Sequence, residues 1–340
     1  MNTILENIEK QMNTASSILV EDVKKIDGDI IILGVSGKIG YNLSALLMDA
    51  LKKAGKDTTV YGVARFSGGP ESRQDLEDLG VKTIVADFMN DEELGSLPKV
   101  KNVIYMVGYK FGSTGNESYT WALNSYLPGR VAEHYKDSRI VAFSTGCVYP
   151  LVDVKDAAPS EEFMPDAIGE YAQSCLGRER IFEHFSKTNN TEMLIYRLNY
   201  AIDVRYGVLV ELGTAVYEGR PVDVTMGQVN VIWQPDASEM AIRSLLHCTS
   251  PANIMNITGP ETLSVRWISE RFAEVMDKEI EFVGEEATTA LLNNASKSHE
   301  IFGYPQTTIR EMIDIVATWI MENGAMIDKP THFQEREGKY

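Results

Sequence analysis

Three glycines at the end of an all-apolar run are the residues best placed for chemistry. Ile30, Ile31, Ile32 and Leu33 lead straight into Gly34, Gly37 and Gly40, behind which a helical pattern starts. The first glycine permits a tight turn and the second lets backbone approach a pyrophosphate. The third allows close packing of the next helix, whose N-terminal dipole faces the anion. Ser36, Lys38 and Ile39 belong to the same cradle, so a dinucleotide is the expected ligand. At the end of the next strand an acid would read the ribose of NAD. Ala64 and Arg65 stand there instead, and an arginine pairs with a 2′-phosphate, so NADP is expected, with NAD as the alternative. Asp87 and Phe88 follow the third strand, where they would meet the adenine edge; a strand-end aspartate also caps helices. Val107 ends the fourth and Lys110 follows it, at the nicotinamide end.

Two hydroxyls are presented to such a ligand. Thr145 directly follows an apolar strand and so emerges at its carboxyl edge, and Tyr171 opens a helix after the polar loop 153–170. A tyrosine at a helix start is also commonly a packing residue. The three cysteines, Cys147, Cys175 and Cys248, have unrelated spacings and suggest neither disulfides nor zinc, and the five histidines lack metal-ligand spacing.

The elements that position these groups alternate. Apolar strands are expected at 30–33, 58–63, 83–86, 103–107, 139–143 and 193–198, with helices between them, including 121–135 and 171–185. This pattern predicts a parallel, doubly wound α/β sheet covered on both faces. A helical arm, 1–28, precedes this dinucleotide-binding domain, 29–198. A smaller mixed lobe, 199–327, is expected to hold the substrate over the carboxyl edge of the sheet. It reads as strands at 222–224, 229–233 and 280–283 and helices from Ser238, from Val265 and over 308–321. A polar tail, 328–340, is either loose or docked on a neighbour.

Composition narrows the function classes. The 340 residues are 44% apolar, enough for a sizeable core. No apolar run approaches the roughly 18 to 20 residues of a membrane helix, and no leader is evident at the start, so the expected location is the cytoplasm. With 32 basic against 49 acidic residues, the net charge of −17 disfavours nucleic acid and anionic membranes as partners. A small anionic ligand needs only a local positive site.

Gly34, Gly37 and Gly40, Asp87, Ser144-Thr145 with Val148-Tyr149, and Tyr171 occur in an order and spacing that resembles the extended short-chain dehydrogenases/reductases, also called the NAD-dependent epimerase/dehydratase family. The likeness extends to Arg197-Leu198, Gln234-Pro235-Asp236, Asn256 to Gly259, Ser296-Lys297 and Gly303-Tyr304-Pro305. The resemblance implies a Rossmann-type fold and a homodimer. It also implies that Thr145 orients a substrate oxygen and that Tyr171 exchanges its proton while hydride moves to or from nicotinamide. Asn124 matches a family asparagine; a solvated helix residue is the alternative.

One departure bears on activity. The family places a lysine one helical turn after the tyrosine, where this chain has Cys175. Without a nearby cation a tyrosine stays near pKa 10, which sets roughly 4 kcal/mol against its use as a base at neutral pH. Reduction of a carbonyl suffers less, since neutral tyrosine is already the acid required. Lys110 is the candidate substitute cation, whereas Arg178, seven residues along the helix, lies about 10 Å from Tyr171 at the backbone and is disfavoured. Segment 228–233 lacks the arginine with which family members commonly hold a nucleotide-sugar diphosphate, so a smaller sugar or sugar acid is a comparable substrate class. The expected function is an NAD(P)-dependent oxidoreductase or epimerase acting on a carbohydrate-like hydroxyl or carbonyl. The alternative is a cofactor-binding sensor or assembly protein without turnover.

Overall fold

Seven parallel strands form the central sheet: β1 (Ile30–Leu33), β2 (Val60–Ala64), β3 (Lys82–Val85), β4 (Asn102–Tyr105), β5 (Arg139–Thr145), β6 (Met193–Leu198) and β7 (Asn253–Ile257). Their order is β3-β2-β1-β4-β5-β6-β7, so the chain reverses direction across the sheet between β1 and β4. The computed structural model describes residues 3–67, 73–110, 112–327 and 329–339. The loop expected before Arg73, and Asp328 and Tyr340 of the tail, lie outside the described residues.

The all-apolar character of β1 follows from burial on both faces. Ile30 and Ile32 pack into one core with the helix Gly40–Ala54, while Ile31 and Leu33 pack into the opposite core with Leu127, Val131 and Phe182. Register aligns Leu33 with Val63 and Tyr105, and Thr145 with Leu198. The strands therefore end at one edge, where their loops converge.

The helical arm is two helices, Thr3–Met12 and Ser17–Val23. Ser16 caps the second through Leu19 N–H at 3.1 Å, and its own hydroxyl donates to Glu239, tying the arm to the helix Gln234–Arg243. Leu19 and Val23 are fully buried, so the arm covers the helix layer over the sheet.

The second lobe departs from the expected boundaries. β7, the edge strand of the main sheet, comes from residues assigned to it, and the Gln234–Arg243 helix packs on Gly40–Ala54 and in the main core. The lobe proper rests on helices Val208–Tyr217, Val265–Met276 and Ile309–Met321, whose Leu209, Phe272, Ile313 and Val316 are fully buried. Truncating one of these to alanine costs about 2–5 kcal/mol. The strand expected over 229–233 is two short strands, Gln228–Val229 and Ile232–Trp233, pairing with different partners. Between them Asn230 turns its side chain to Glu261 O and to the amide of Asn293.

The described part of the tail packs on its own chain rather than standing loose. Residues 329–339 lie on this chain's own second lobe, with Phe333 fully buried in its core. Glu211 accepts the Thr331 amide and hydroxyl at 3.0 and 2.6 Å, and Arg336 donates to Thr289 O at 2.9 Å.

Candidate active site

The glycine turn is fixed by backbone contact. Gly34 leaves β1 with φ of 89°, where a side chain is strained, and its N–H donates to Val63 O at 2.8 Å. A Cβ on Gly34 would stand 3.0 Å from Val107 N, and one on Gly40 would lie 1.8 Å from Val35 O. At Gly37 an added carbon meets only Gly34 O, at 3.3 Å, and this glycine is exposed. The first and third glycines are thus demanded by packing, and the second leaves the turn open to a cavity of about 470 Å³.

Ser36, Lys38 and Ile39 line that cavity with the glycines, and Lys110, Thr145 and Tyr171 line it opposite them. Thr145 ends β5, and its Oγ1 accepts the Cys147 amide at 3.2 Å. With that lone pair occupied, the Thr145 hydroxyl proton is available to an oxygen in the cavity. Tyr171 stands in the first turn of the helix Gly169–Asn189, half-buried. Burial, then Cys175 and Cys147, raise its pKa well above the usual phenol value, and Arg178 acts in the opposite sense. Lys110 Nζ lies 5.7 Å from the centre of its ring.

Cys175 is fully buried one turn beyond Tyr171, packed with Val148 and Tyr149; burial raises its thiol pKa. Arg178 is where backbone spacing misleads. Its guanidinium lines the same cavity as Tyr171, because helical side chains lean toward the N-terminus and seven residues bring them round to the same face. It donates to Phe143 O and to Asn124 Oδ1, both at 2.8 Å, and to Asn124 O at 3.2 Å.

Asn124 is fully buried rather than solvated. It sits in a π-helical turn, Ala122–Tyr126, between the helices Glu117–Trp121 and Leu127–His134. It clamps Tyr109 by accepting its N–H at 2.8 Å and donating to its carbonyl at 2.9 Å, and donates also to Ser174 at 2.9 Å. Below Thr145, Ser144 donates to Glu179 at 2.5 Å. Glu179 forms a bidentate buried pair with Arg197, at 2.9 and 2.6 Å. Arg197 continues to Tyr149 at 2.5 Å, whose hydroxyl also contacts Asn256 at 3.0 Å, so the motif residues Arg197 and Asn256 brace the strands behind the site.

Other expected residues lie outside the cavity wall. Arg65 is exposed at the end of β2, 3.4 Å from the Tyr119 hydroxyl. Asp87 accepts the Met89 amide at 2.9 Å, and Asn90, not Asp87, caps the helix Asp91–Ser96. Phe88 is buried, and Val107 backs Gly34. Gln234 lines the cavity and donates to Asp203 at 2.9 Å, whereas Asp236 faces away and accepts the Thr307 amide. Burial pushes the Asp236 carboxyl up to about 6. Lys38 Nζ lies 3.1 Å over the Tyr206 ring; burial, then Lys110 and Lys329, lower its pKa to about 7. Tyr206 and Lys329 carry no motif, and only the fold brings them here. Among the described residues no cluster of three or more His, Cys, Asp or Glu has metal-binding geometry, and no helix is long and apolar enough to cross a membrane.

A parallel sheet that switches direction at a glycine turn, with its strand ends opening on one cavity, defines a Rossmann-type α/β protein. Residues 30–202 match the family model described as the NAD dependent epimerase/dehydratase family, and the chain belongs to that family. No curated protein matches the sequence. Among solved structures it is similar to UDP-glucuronic acid 4-epimerase from Bacillus cereus in complex with UDP-glucuronic acid and NAD. Identity is 18% and the TM-score 0.70, covering 87% of this chain and 99% of that one. It is also similar to RMD from Pseudomonas aeruginosa complexed with NADPH, at 18% identity and TM-score 0.68 over 86% and 98% of the chains. DesIV, the dTDP-glucose 4,6-dehydratase from Streptomyces venezuelae, matches at 16% identity and TM-score 0.72 over 87% and 97%. At such identities the likeness is one of fold.

Proposed function

We propose that the chain is an NAD(P)-dependent oxidoreductase or epimerase acting on a hydroxyl or carbonyl of a carbohydrate-like substrate. The observation that carries this reading is the meeting, in one cavity, of the open glycine turn with the Thr145 and Tyr171 hydroxyls. The cradle fits such a group, since side chains at Gly34 or Gly40 would collide with backbone while exposed Gly37 leaves the turn open to close approach by a pyrophosphate. Residues 34–40 would hold the pyrophosphate, with the adenosine end along Arg65 and Asp87. When bound, the nicotinamide supplies or accepts hydride.

Thr145 donates its proton to the substrate oxygen and fixes its position, because its own oxygen is held by the Cys147 amide. Tyr171 remains neutral at physiological pH and acts as the acid, donating its proton to an oxygen that gains electrons. Reduction of a carbonyl is therefore the favoured direction. Arg178 and Lys110 stabilise the phenolate left behind, the part a lysine at position 175 would play in the family pattern. Arg65 supports NADP, because an exposed guanidinium at the end of β2 is open to a 2′-phosphate.

Fluorescence titration with NADPH and NADH tests the cradle, and a panel of sugars, sugar acids and ketones followed by absorbance and NMR product analysis tests turnover. Tyr171→Phe is expected to lower turnover by about 1,000-fold with cofactor affinity unchanged. An unchanged rate removes Tyr171 from the mechanism. A second reading, a cofactor-binding sensor without turnover, is favoured by the high pKa that burial and Cys175 impose on Tyr171. Cofactor binding with no turnover on any member of the panel supports it.

A further inference from the structure

The tail bridges two sides of the cavity. On one side it is anchored in the second lobe, where Phe333 is fully buried, Glu211 accepts from Thr331 and from the Gln334 side chain, and Arg336 donates to Thr289 O. Lys329 and Thr331 form part of the cavity wall, and the hydroxyl of Tyr200, another wall residue, donates to Phe333 O at 3.5 Å. On the other side the tail ends against the helix that carries Tyr171. Gly338 and Gly169 meet there backbone to backbone, with φ of 78° and 80°. A Cβ on Gly169 would stand 2.3 Å from Gly338 O, and one on Gly338 would stand 2.3 Å from Ile168 O, so neither position admits a side chain.

The two ends are held unequally. Among the described residues no hydrogen bond ties residues 337–339 to Ile168 or to the helix Gly169–Asn189, whereas the lobe end has a buried ring and several bonds. A segment with few bonds and little buried apolar surface opens locally before one that is anchored. We propose that the tail is a latch across the cavity: its lobe end stays fixed, and its Gly338 end lifts from Gly169 to open the side walled by Lys329, Thr331 and Tyr200 to a small molecule. The seat lies two residues before Tyr171, so closing the latch also fixes the start of the helix that presents this hydroxyl.

Cys147 reports the opening. It is the half-buried thiol of the cavity wall, while Cys175 and Cys248 are buried, and it stands close to Tyr200, whose pKa is raised by burial and then by Cys147. Labelling of the unliganded protein by a neutral dipyridyl disulfide, followed by absorbance, therefore measures access with no cofactor present. Gly338→Val is expected to label about 10-fold faster than the unaltered chain and to be cut faster by trypsin at Arg336, since both rates track the open fraction. Gly338→Ala should act in the same direction by a smaller factor, and adding Cys147→Ser should abolish the fast labelling. Three results overturn the inference: faster cutting without faster labelling, no change in either rate, or fast labelling that survives Cys147→Ser. Failure of NADPH and NADH to bind would instead strike the proposed function and leave these rates as they are.

Discussion

Along the glycine turn the cavity wall is backbone, set by contacts between residues a few positions apart, with Gly40 against Val35 and Gly37 against Gly34. Across the cavity the wall includes side chains of one helix, Tyr171 and Arg178, with buried Cys175 packed against Tyr171, and it is held by partners up to 54 positions away. The first wall is determined by residue size and φ. The second depends on charges and hydrogen bonds that exist only once distant segments have met. Substitutions should therefore fail in different ways on the two sides.

The largest effect is expected on the side-chain wall. Cys175→Lys places an ammonium in a fully buried space already influenced by Arg178, and should lower unfolding free energy in urea by about 3–5 kcal/mol. Adding Arg178→Met should return part of that loss, with a coupling of about 1 kcal/mol or more. An unchanged midpoint would break the claim that this side depends on buried charges and hydrogen bonds. On the backbone wall, Gly40→Ala should cost about 2–3 kcal/mol, because the added carbon meets a carbonyl, whereas Gly37→Ala should cost under about 1 kcal/mol. Equal losses at the two positions would remove the distinction between a packed and an open glycine.

Lys38 belongs to the turn yet answers to charge, and so sharpens the comparison. Its pKa is about 7 in the folded protein, against 10.5 for an ordinary lysine. Below pH 7 the folded protein therefore holds an unfavourable charge, and that cost declines as pH rises from 7 toward 10.5. Lys38→Met should accordingly stabilise the unliganded protein by about 1 kcal/mol at pH 6, allowing for partial exposure, and the gain should fade by pH 9. Thermal unfolding at the two pH values reads the difference; a gain that grows with pH would contradict the lowering of this pKa by burial and by Lys110 and Lys329. The smallest effect belongs to exposed Arg65. Arg65→Ala should weaken NADPH by about fivefold and leave NADH unaltered in fluorescence titration. Equal weakening of both would remove it as the reader of a 2′-phosphate.

What was legible in the sequence follows the same division. Ile30 to Leu33 announced a strand buried on both faces, and β6 was bounded correctly at Met193 and Leu198, since local apolar runs ending in turns carry that information. β7 was missed because Asn253 to Ile257 mixes polar and apolar residues and becomes a strand only by pairing with β6. The glycine turn, Thr145, Tyr171 and Lys110 line one cavity, each standing just after a strand or at a helix start. Arg178 was set aside on backbone distance, an error of direction rather than of spacing, since its side chain runs back along the helix. Lys329 and Tyr206 left no local trace, and the tail looked detachable because Phe333 stands alone among polar neighbours, though its burial anchors the segment.

The π-helical turn Ala122–Tyr126 amounts to one surplus residue threaded into an otherwise regular helix. Deleting a single codon there would restore regular winding and rotate everything on one side by roughly 100°. Asn124 would then swing off its clamp on Tyr109, and Arg178 would lose two of its three acceptors. A smoother helix would come at the expense of the bonds that hold Arg178 in the cavity it shares with Tyr171, so the irregularity is a working part of the molecule.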